Sequence, residues 1–293
     1  MDLADLRFFD AVAREGGINR AALVLNTVQS NVTARITALE TKLGVQLFDR
    51  SARGVSLTAA GKRLLPYAHK MFTLAQEATQ AARDDGAPCG PLTIGALETT
   101  AALRLPPLLG PFVTRHPDVD LTIRSGITVE LMPMVLDGRL DGALVAGPVR
   151  NAGLIEQPIF REELALLAPP GIETIERLLE HSERIRLLVL RSGCSYRQRL
   201  EAVFARRGLV GLKTLEFGTL EAIVGCIGAG LGVTLLPRAL MGTVWPENRV
   251  SVLALPKEEA EVETVFIRHG GRAVSSALRA FISHIGGDGT DTH

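Results

Sequence analysis

Between Val28 and Leu43 the apolar residues Val28, Val32, Ile36, Leu39 and Leu43 step by four, four, three and four positions, and Gly44 follows them. That spacing is one face of an amphipathic helix, and a glycine just past its end is the usual stop. Two shorter patterns precede it. Leu3, Leu6, Phe9, Val12 and Ala13 predict a helix that ends near Gly16 and Gly17; Ala21, Ala22 and Leu25 predict a second, with Asn19 near its start and a break at Asn26 and Thr27. Two helices joined by a tight turn, the second exposing small polar residues, make a helix-turn-helix whose second helix fits the major groove of DNA.

The outward positions of that third helix are Gln29, Ser30, Asn31, Thr33, Ala34 and Arg35. Gln and Asn pair with an adenine edge, Arg with guanine, and Ser or Thr with bases or phosphates. Residues 47–50 and 51–55 read as a short hairpin, a wing that brings Arg50 and Arg53 to the phosphates or the minor groove. Charge agrees with this reading only when it is resolved along the chain. Over the whole sequence 32 basic and 32 acidic residues cancel. Between Arg14 and Arg63, however, eight basic residues face three acidic ones, a local balance of +5 set against −5 elsewhere. Segregated charge of this kind points to a nucleic-acid-binding segment.

The stretch GGINRAALVLNTVQSNVTARITALETKLGVQLFDRSARGVSLTAAG, residues 16–61, resembles the winged helix-turn-helix of LysR-type transcriptional regulators. The resemblance rests on Ala21-Ala22, Gln29, Ile36, Leu39-Glu40, the run from Leu43-Gly44-Val45 to Leu47-Phe48, Arg50, Leu57-Thr58 and Ala60-Gly61, and the family pattern continues through nearly all 293 residues. It implies an α/β protein: an N-terminal all-α winged helix-turn-helix with a long linker helix, then a two-lobed, periplasmic-binding-protein-like (type 2) effector domain. The DNA-binding residues it implies are Gln29, Ser30, Asn31, Thr33, Arg35, Arg50 and Arg53. Three positions depart from the family: Val28 replaces a common Ser, Ser30 a common Pro, and Ala34 a frequent base-reading Arg, for which Arg35 is the expected substitute. Val28 lacks a capping oxygen, so Thr27 is the expected helix cap.

After Thr58, the residues Leu64, Ala68, Met71, Ala75, Ala78 and Ala82 alternate spacings of four and three, a heptad seam on a long helix that Pro66 should bend. In the family this helix pairs two subunits, as a dimeric reader of two half-sites needs; the alternative is a helix packed on its own domain. A linker of acid, Gly and Pro follows at 84–91. The expected units are 1–58 for the DNA-binding domain, 59–85 for the dimerisation helix, 86–91 for the hinge and 92–293 for the effector domain. Its first lobe covers about 92–160 and 268–285, and its second about 162–266.

In the effector domain strands are expected at 92–97, 119–124, 140–146, 163–168, 186–190, 213–217 and 263–268, alternating with helices at 99–116, 129–137, 173–181, 195–207, 219–228 and 274–285, so a largely parallel sheet. The uncharged stretch Ala222 to Pro237 reads as buried helix, turn and strand. Ligands of open α/β sheets bind beyond the carboxyl ends of strands, beside helix N-termini. Thr99 and Thr100, Gly126 and Thr128, Gly147, and Gly218 and Thr219 occupy such ends, and with Arg191 and Cys194 they should line a cleft suited to a carboxylate. Each Thr has a simpler reading as a helix cap. Cys194, between Arg191 and Arg197 ahead of a helix, also admits a redox role.

Catalytic signatures are missing: there is no GxSxG or GxxxxGK, and the six histidines lack metal-site spacing. Cofactors and metals are therefore not expected. A cytoplasmic small-molecule-binding protein or enzyme, with an N-terminal domain used only for assembly, is the contending class. Three scattered cysteines, an N-terminus without a secretory signal and no run long enough to span a bilayer imply a cytoplasmic protein. The expected partners are double-stranded promoter DNA, a small-molecule effector, further copies of the chain in a homodimer or homotetramer, and RNA polymerase; no membrane is expected.

Overall fold

The computed structural model describes residues 1–51, 54–83, 86–180, 185–190 and 195–287. The chain forms two compact units, one comprising Met1–Arg83 and the other nearly all of the remainder.

The first unit contains α1 (Leu3–Glu15), α2 (Ile18–Val24), α3 (Gln29–Leu43), β1 (Phe48–Ser51), β2 (Gly54–Leu57) and α4 (Ala59–Arg83). Asp2 and Asp5 cap α1 reciprocally: the Asp5 amide donates to Asp2 at 2.8 Å and the Asp2 amide to Asp5 at 3.2 Å. The Asp5 amide, with the nearby charges of Arg35 and Lys42, holds the Asp2 carboxyl below its usual range. The cap is therefore complete above that range and is lost as pH falls through the depressed value. Gly16 and Gly44 end α1 and α3 with φ of 61° and 67°, a conformation that costs glycine little. Leu6, Phe9, Val12, Ala21, Val32, Ile36, Leu39, Leu47 and Phe48 form the core, with the Phe9 and Phe48 rings 5.3 Å apart. Strands β1 and β2 pair antiparallel, as the wing reading expects.

The second unit begins with β3 (Gly90–Leu97), α5 (Glu98–Leu103), α6 (Leu105–Arg115), β4 (Val119–Gly126), α7 (Thr128–Leu136), β5 (Gly142–Ala146) and β6 (Leu154–Ala168). It continues with α8 (Ile175–Leu179), β7 (Arg186–Leu190), α9 (Ser195–Ala205), β8 (Lys213–Phe217), α10 (Leu220–Gly228), β9 (Thr234–Pro237) and the one-turn α11 (Leu240–Thr243). Strand β10 (Ser251–Ala254), the one-turn α12 (Lys257–Ala260), β11 (Glu261–His269) and α13 (Ser276–Gly287) complete it. In the first lobe the sheet order is β6, β11, β5, β3, β4, with β3 parallel to both β4 and β5. Alternate residues of these strands enter two cores. Leu92, Ile94, Leu144 and Phe266 face α6 and α13, while Ala143, Val145, Val265 and Ile267 face α7. In the second lobe β6 pairs with β9 and β10, and the parallel pair β7 and β8 joins through a Leu187–Val233 bridge. Among the described residues no helix is long and apolar enough to cross a membrane.

Several sequence expectations are corrected here. The helix expected at 99–116 is two helices, broken at Arg104; Pro106 and Pro107 sit in the first turn of α6, where a missing N–H costs nothing. The strand expected at 163–168 begins at Leu154, because β11 returns antiparallel along its first half, so the sheet is mixed and not largely parallel. Strand β10 lies outside the expected strands and pairs with the edge of β6.

Candidate functional site

Helix α3 begins at Gln29, and Val28 is its N-cap in extended conformation without a side-chain bond. Thr27 therefore does not cap the helix. Its hydroxyl instead accepts from the Asn31 side chain at 2.9 Å. Because Val32, Ile36 and Leu39 are buried, the opposite face presents Ser30, Ala34 and Thr37, flanked by Gln29, Asn31 and Thr33. Arg35 lies elsewhere. Its guanidinium sits 3.3 Å from the buried Asp5 carboxylate and 5.7 Å from the Phe8 ring, and Lys42 approaches the same carboxylate at 3.8 Å. The two bases thus pin α3 to α1.

The wing is tied to α3 by Glu40, whose carboxylate accepts from the Leu47 amide at 2.8 Å and the Phe48 amide at 3.2 Å. The Arg50 backbone lies in β1 opposite Val55, and Arg53 lies outside the described residues. Glu40→Ala would leave two amides without their charged acceptor and is expected to cost about 2 kcal/mol. Glu40→Gln, which keeps a neutral acceptor, should cost less. Thermal unfolding of the two variants checks the order.

Helix α4 carries two apolar stripes. Ala68 is fully buried in the core of its own unit, with Leu64, Leu65 and Phe72 packed around it. Tyr67, Met71 and Leu74 are exposed, Leu74 by 66% and Tyr67 by 61%, and Ala78, Ala81 and Ala82 are exposed too. Of the expected seam, Leu64 and Ala68 are corrected on this ground, since they fill the domain's own core, whereas Met71, Ala78 and Ala82 are exposed. The exposed series Tyr67, Met71, Leu74, Ala78 and Ala81 keeps the alternation of four and three.

In the second unit, a narrow cleft is lined by Leu97, Glu98, Thr99, Gly126, Ile127, Thr128, Leu190, Ser195 and Tyr196. These residues come from the ends of β3, β4 and β7 and the starts of α5, α7 and α9, so the strand-end logic gathers Thr99, Gly126 and Thr128. Hydroxyl chemistry separates the three threonine sites. Thr219 is an N-cap that accepts from the Ala222 amide at 3.3 Å, and neither it nor Gly218 lines the cleft. Thr99 and Thr128 are not caps: the Thr99 hydroxyl donates to the Tyr196 phenol oxygen at 3.4 Å, and the buried Thr128 hydroxyl has no hydrogen-bond partner among the described residues. Thr100 is buried away from the cleft. Gly147 packs against Val265, where an added Cβ would lie 2.6 Å from a methyl carbon. Arg191 and Cys194 lie outside the described residues. Sequence reasoning missed Tyr196 and Ser195, although both open a predicted helix directly after a predicted strand.

Comparison with known proteins adds two family matches. Residues 3–62 match the bacterial regulatory helix-turn-helix protein of the lysR family, and residues 85–288 match the LysR substrate binding domain. The chain is 42% identical over 282 residues to the uncharacterized HTH-type transcriptional regulator YusT of Bacillus subtilis (strain 168), covering 96% of this chain and 94% of the relative. It is 39% identical over 285 residues to the HTH-type transcriptional regulator GltR of the same organism, covering 97% and 96%. Among solved structures, full-length CbnR complexed with its target DNA is similar with a TM-score of 0.71 at 24% identity, over 97% of this chain and 99% of that one.

Proposed function

This chain belongs to the LysR family of DNA-binding transcriptional regulators, not to an enzyme family, and from that premise we propose that it reads promoter DNA in the cytoplasm as a dimer or a dimer of dimers and answers to a small anionic effector held between the lobes of its C-terminal unit. Gln29, Ser30, Asn31 and Thr33 are the proposed base readers, and Arg50 and Arg53 the proposed phosphate contacts. Arg35 is reassigned from reading to buttressing, since it must leave both Asp5 and Phe8 before it can reach a base.

The effector reading is carried by one observation above the others: the Thr128 hydroxyl is buried at the cleft without a partner among the described residues. Buried polar atoms are nearly always satisfied, so an orphan facing a cleft is best explained by a ligand that completes it. The space open to the centre of a water is only about 10 Å³, close to the least that holds one water, so the lobes must part for a larger guest. Binding then shifts the protein between two arrangements, and the coupling to DNA equals the difference in effector affinity for the two. Thermal-shift titration of the full chain with small carboxylates and aromatic acids tests this. A stabilising acid whose effect falls about tenfold in affinity with Thr128→Val is the expected result; stabilisation by acids that ignores both Thr128→Val and Thr99→Ala would reject the cleft.

Pairing of subunits is assigned to the exposed stripe of α4. Leu74→Glu is expected to shift sedimentation toward monomer and to weaken DNA binding by more than about tenfold, because only one half-site then holds each copy. A dimer unchanged by Leu74→Glu would place the interface elsewhere.

A further inference from the structure

A second groove of the C-terminal unit is lined by none of the residues of the interlobe cleft, and none of the roles assigned above uses it. Its lining residues are Ile155, Gln157, Phe266, Arg268, Val274, Arg279 and Ile282, around about 410 Å³ of space open to solvent-sized groups. Strand register explains how they meet. In the antiparallel pair β6 and β11, Gln157 stands opposite Phe266 and Ile155 opposite Arg268, so the period of two places all four side chains on one face of the sheet. Arg279 and Ile282 are three apart on α13 and share the helix face that closes the groove.

The chemistry of this lining is lopsided. Phe266 is 1% exposed and anchors an apolar floor with Ile155, Val274 and Ile282, while the polar groups are two guanidiniums and one amide, without a carboxylate. Arg268 is half-buried and makes no ion pair among the described residues. Arg279 commits one nitrogen to the Val274 carbonyl at 3.3 Å and keeps its other donors. Glu156, the acidic neighbour on β6, accepts from the Val149 amide at 2.7 Å and belongs to the other face of the strand. A volume in the range of small-molecule pockets, an apolar floor and two guanidiniums without an ion pair among the described residues select a ligand with an apolar body and one anionic end.

We infer that this groove is a second ligand site, for an amphipathic carboxylate, with Arg268 and Arg279 on the carboxylate and Phe266 and Ile282 against the apolar body. The regulator would then read two molecules, or one molecule at two sites, and the outer site would act on the first lobe without closing the cleft.

Calorimetric titration of the full chain with phenylacetate and with its neutral analogue phenylacetamide tests the site. Phenylacetate is expected to bind at least about tenfold more tightly than the amide, a charge-assisted contribution, and Arg268→Gln should remove that preference while Thr128→Val leaves it intact. Arg279→Gln, on the helix and away from the sheet, should reduce the same preference and guards against a misfolded Arg268 variant; circular dichroism checks both folds. Three results would overturn the assignment: no phenylacetate binding at about 10 mM, the weak end of specific binding; binding abolished by Thr128→Val and untouched by either arginine change; or an arginine change that alters the oligomeric state without altering phenylacetate binding, which would give the groove to a second copy of the chain.

Discussion

Arg104→Ala is expected to lower the stability of the C-terminal unit by about 3–5 kcal/mol, the usual cost of stranding one member of a buried ion pair. Arg104 ends α5 and forks onto Glu162 of β6, with Nε to Oε1 at 3.0 Å and Nη2 to Oε2 at 3.2 Å, and its guanidinium lies 5.4 Å from the centre of the Phe160 ring. The Glu162 side chain is only 3% exposed, so its carboxylate depends on this partner. Because α5 carries Thr99 at its other end, the variant should also loosen the cleft that Thr99 lines. Replacing both members by apolar residues, Arg104→Met with Glu162→Leu, is expected to recover most of the loss, since no charge then remains buried. Thermal unfolding of the full chain decides: equal melting of Arg104→Ala and wild type would mean that the pair contributes nothing.

Gly61→Ala is the second change with a large expected effect. Gly61 lies in the first turn of α4, and its amide donates to the Thr58 hydroxyl at 3.1 Å. A Cβ there would stand 2.3 Å from the Leu47 carbonyl oxygen, which already accepts from the Thr58 amide at 3.0 Å and so cannot retreat freely. The helix and the wing must separate to admit one methyl group. A loss of about 3 kcal/mol is expected, the upper end for overpacking, which lowers the unfolding midpoint of a unit this small by about 10–20 °C. Sequence-specific DNA binding should fall with it, because α4, β1 and β2 meet at this point. A Gly61→Ala protein that melts with wild type would show that the backbone shifts at little cost.

These two sites mark where the sequence was and was not legible. Ala60-Gly61 was readable as part of a family pattern, but its reason, the approach of the Leu47 carbonyl, belongs to the packed structure. Glu162 was concealed more thoroughly. In Arg161-Glu162-Glu163 it looks like solvated charge between two lobes, and only β6, running unbroken from Leu154 to Ala168, buries it against Arg104. Strands β7 and β8 were legible to the residue, since short apolar runs between turn residues have few alternatives. Strand β10 has four residues and no alternation of its own, and it exists because β6 offers an edge. On the exposed face of α3, periodicity placed Gln29 and Ser30 outward but could not show that Arg35 is drawn back to Asp5, thirty positions away. On α4 the heptad spacing could not show that Leu64 and Ala68 complete their own core, while Met71, Ala78 and Ala82 of the same series stay exposed. Strand ends bring Thr99 and Thr128 to one cleft, while Thr219 follows the simpler rule of a cap.

Paired reading of DNA through α3 is tested most directly by selecting binding sites for the full-length protein from random duplex DNA and following their affinity against salt. Two half-sites about one helical turn apart, or a multiple of that, with affinity falling steeply as salt rises and with Gln29→Ala relaxing preference at one position in each half-site, is the result expected of two recognition helices in successive major grooves. A single half-site, enrichment that Gln29→Ala leaves unchanged, or binding that is equally weak on every sequence and indifferent to salt would contradict it.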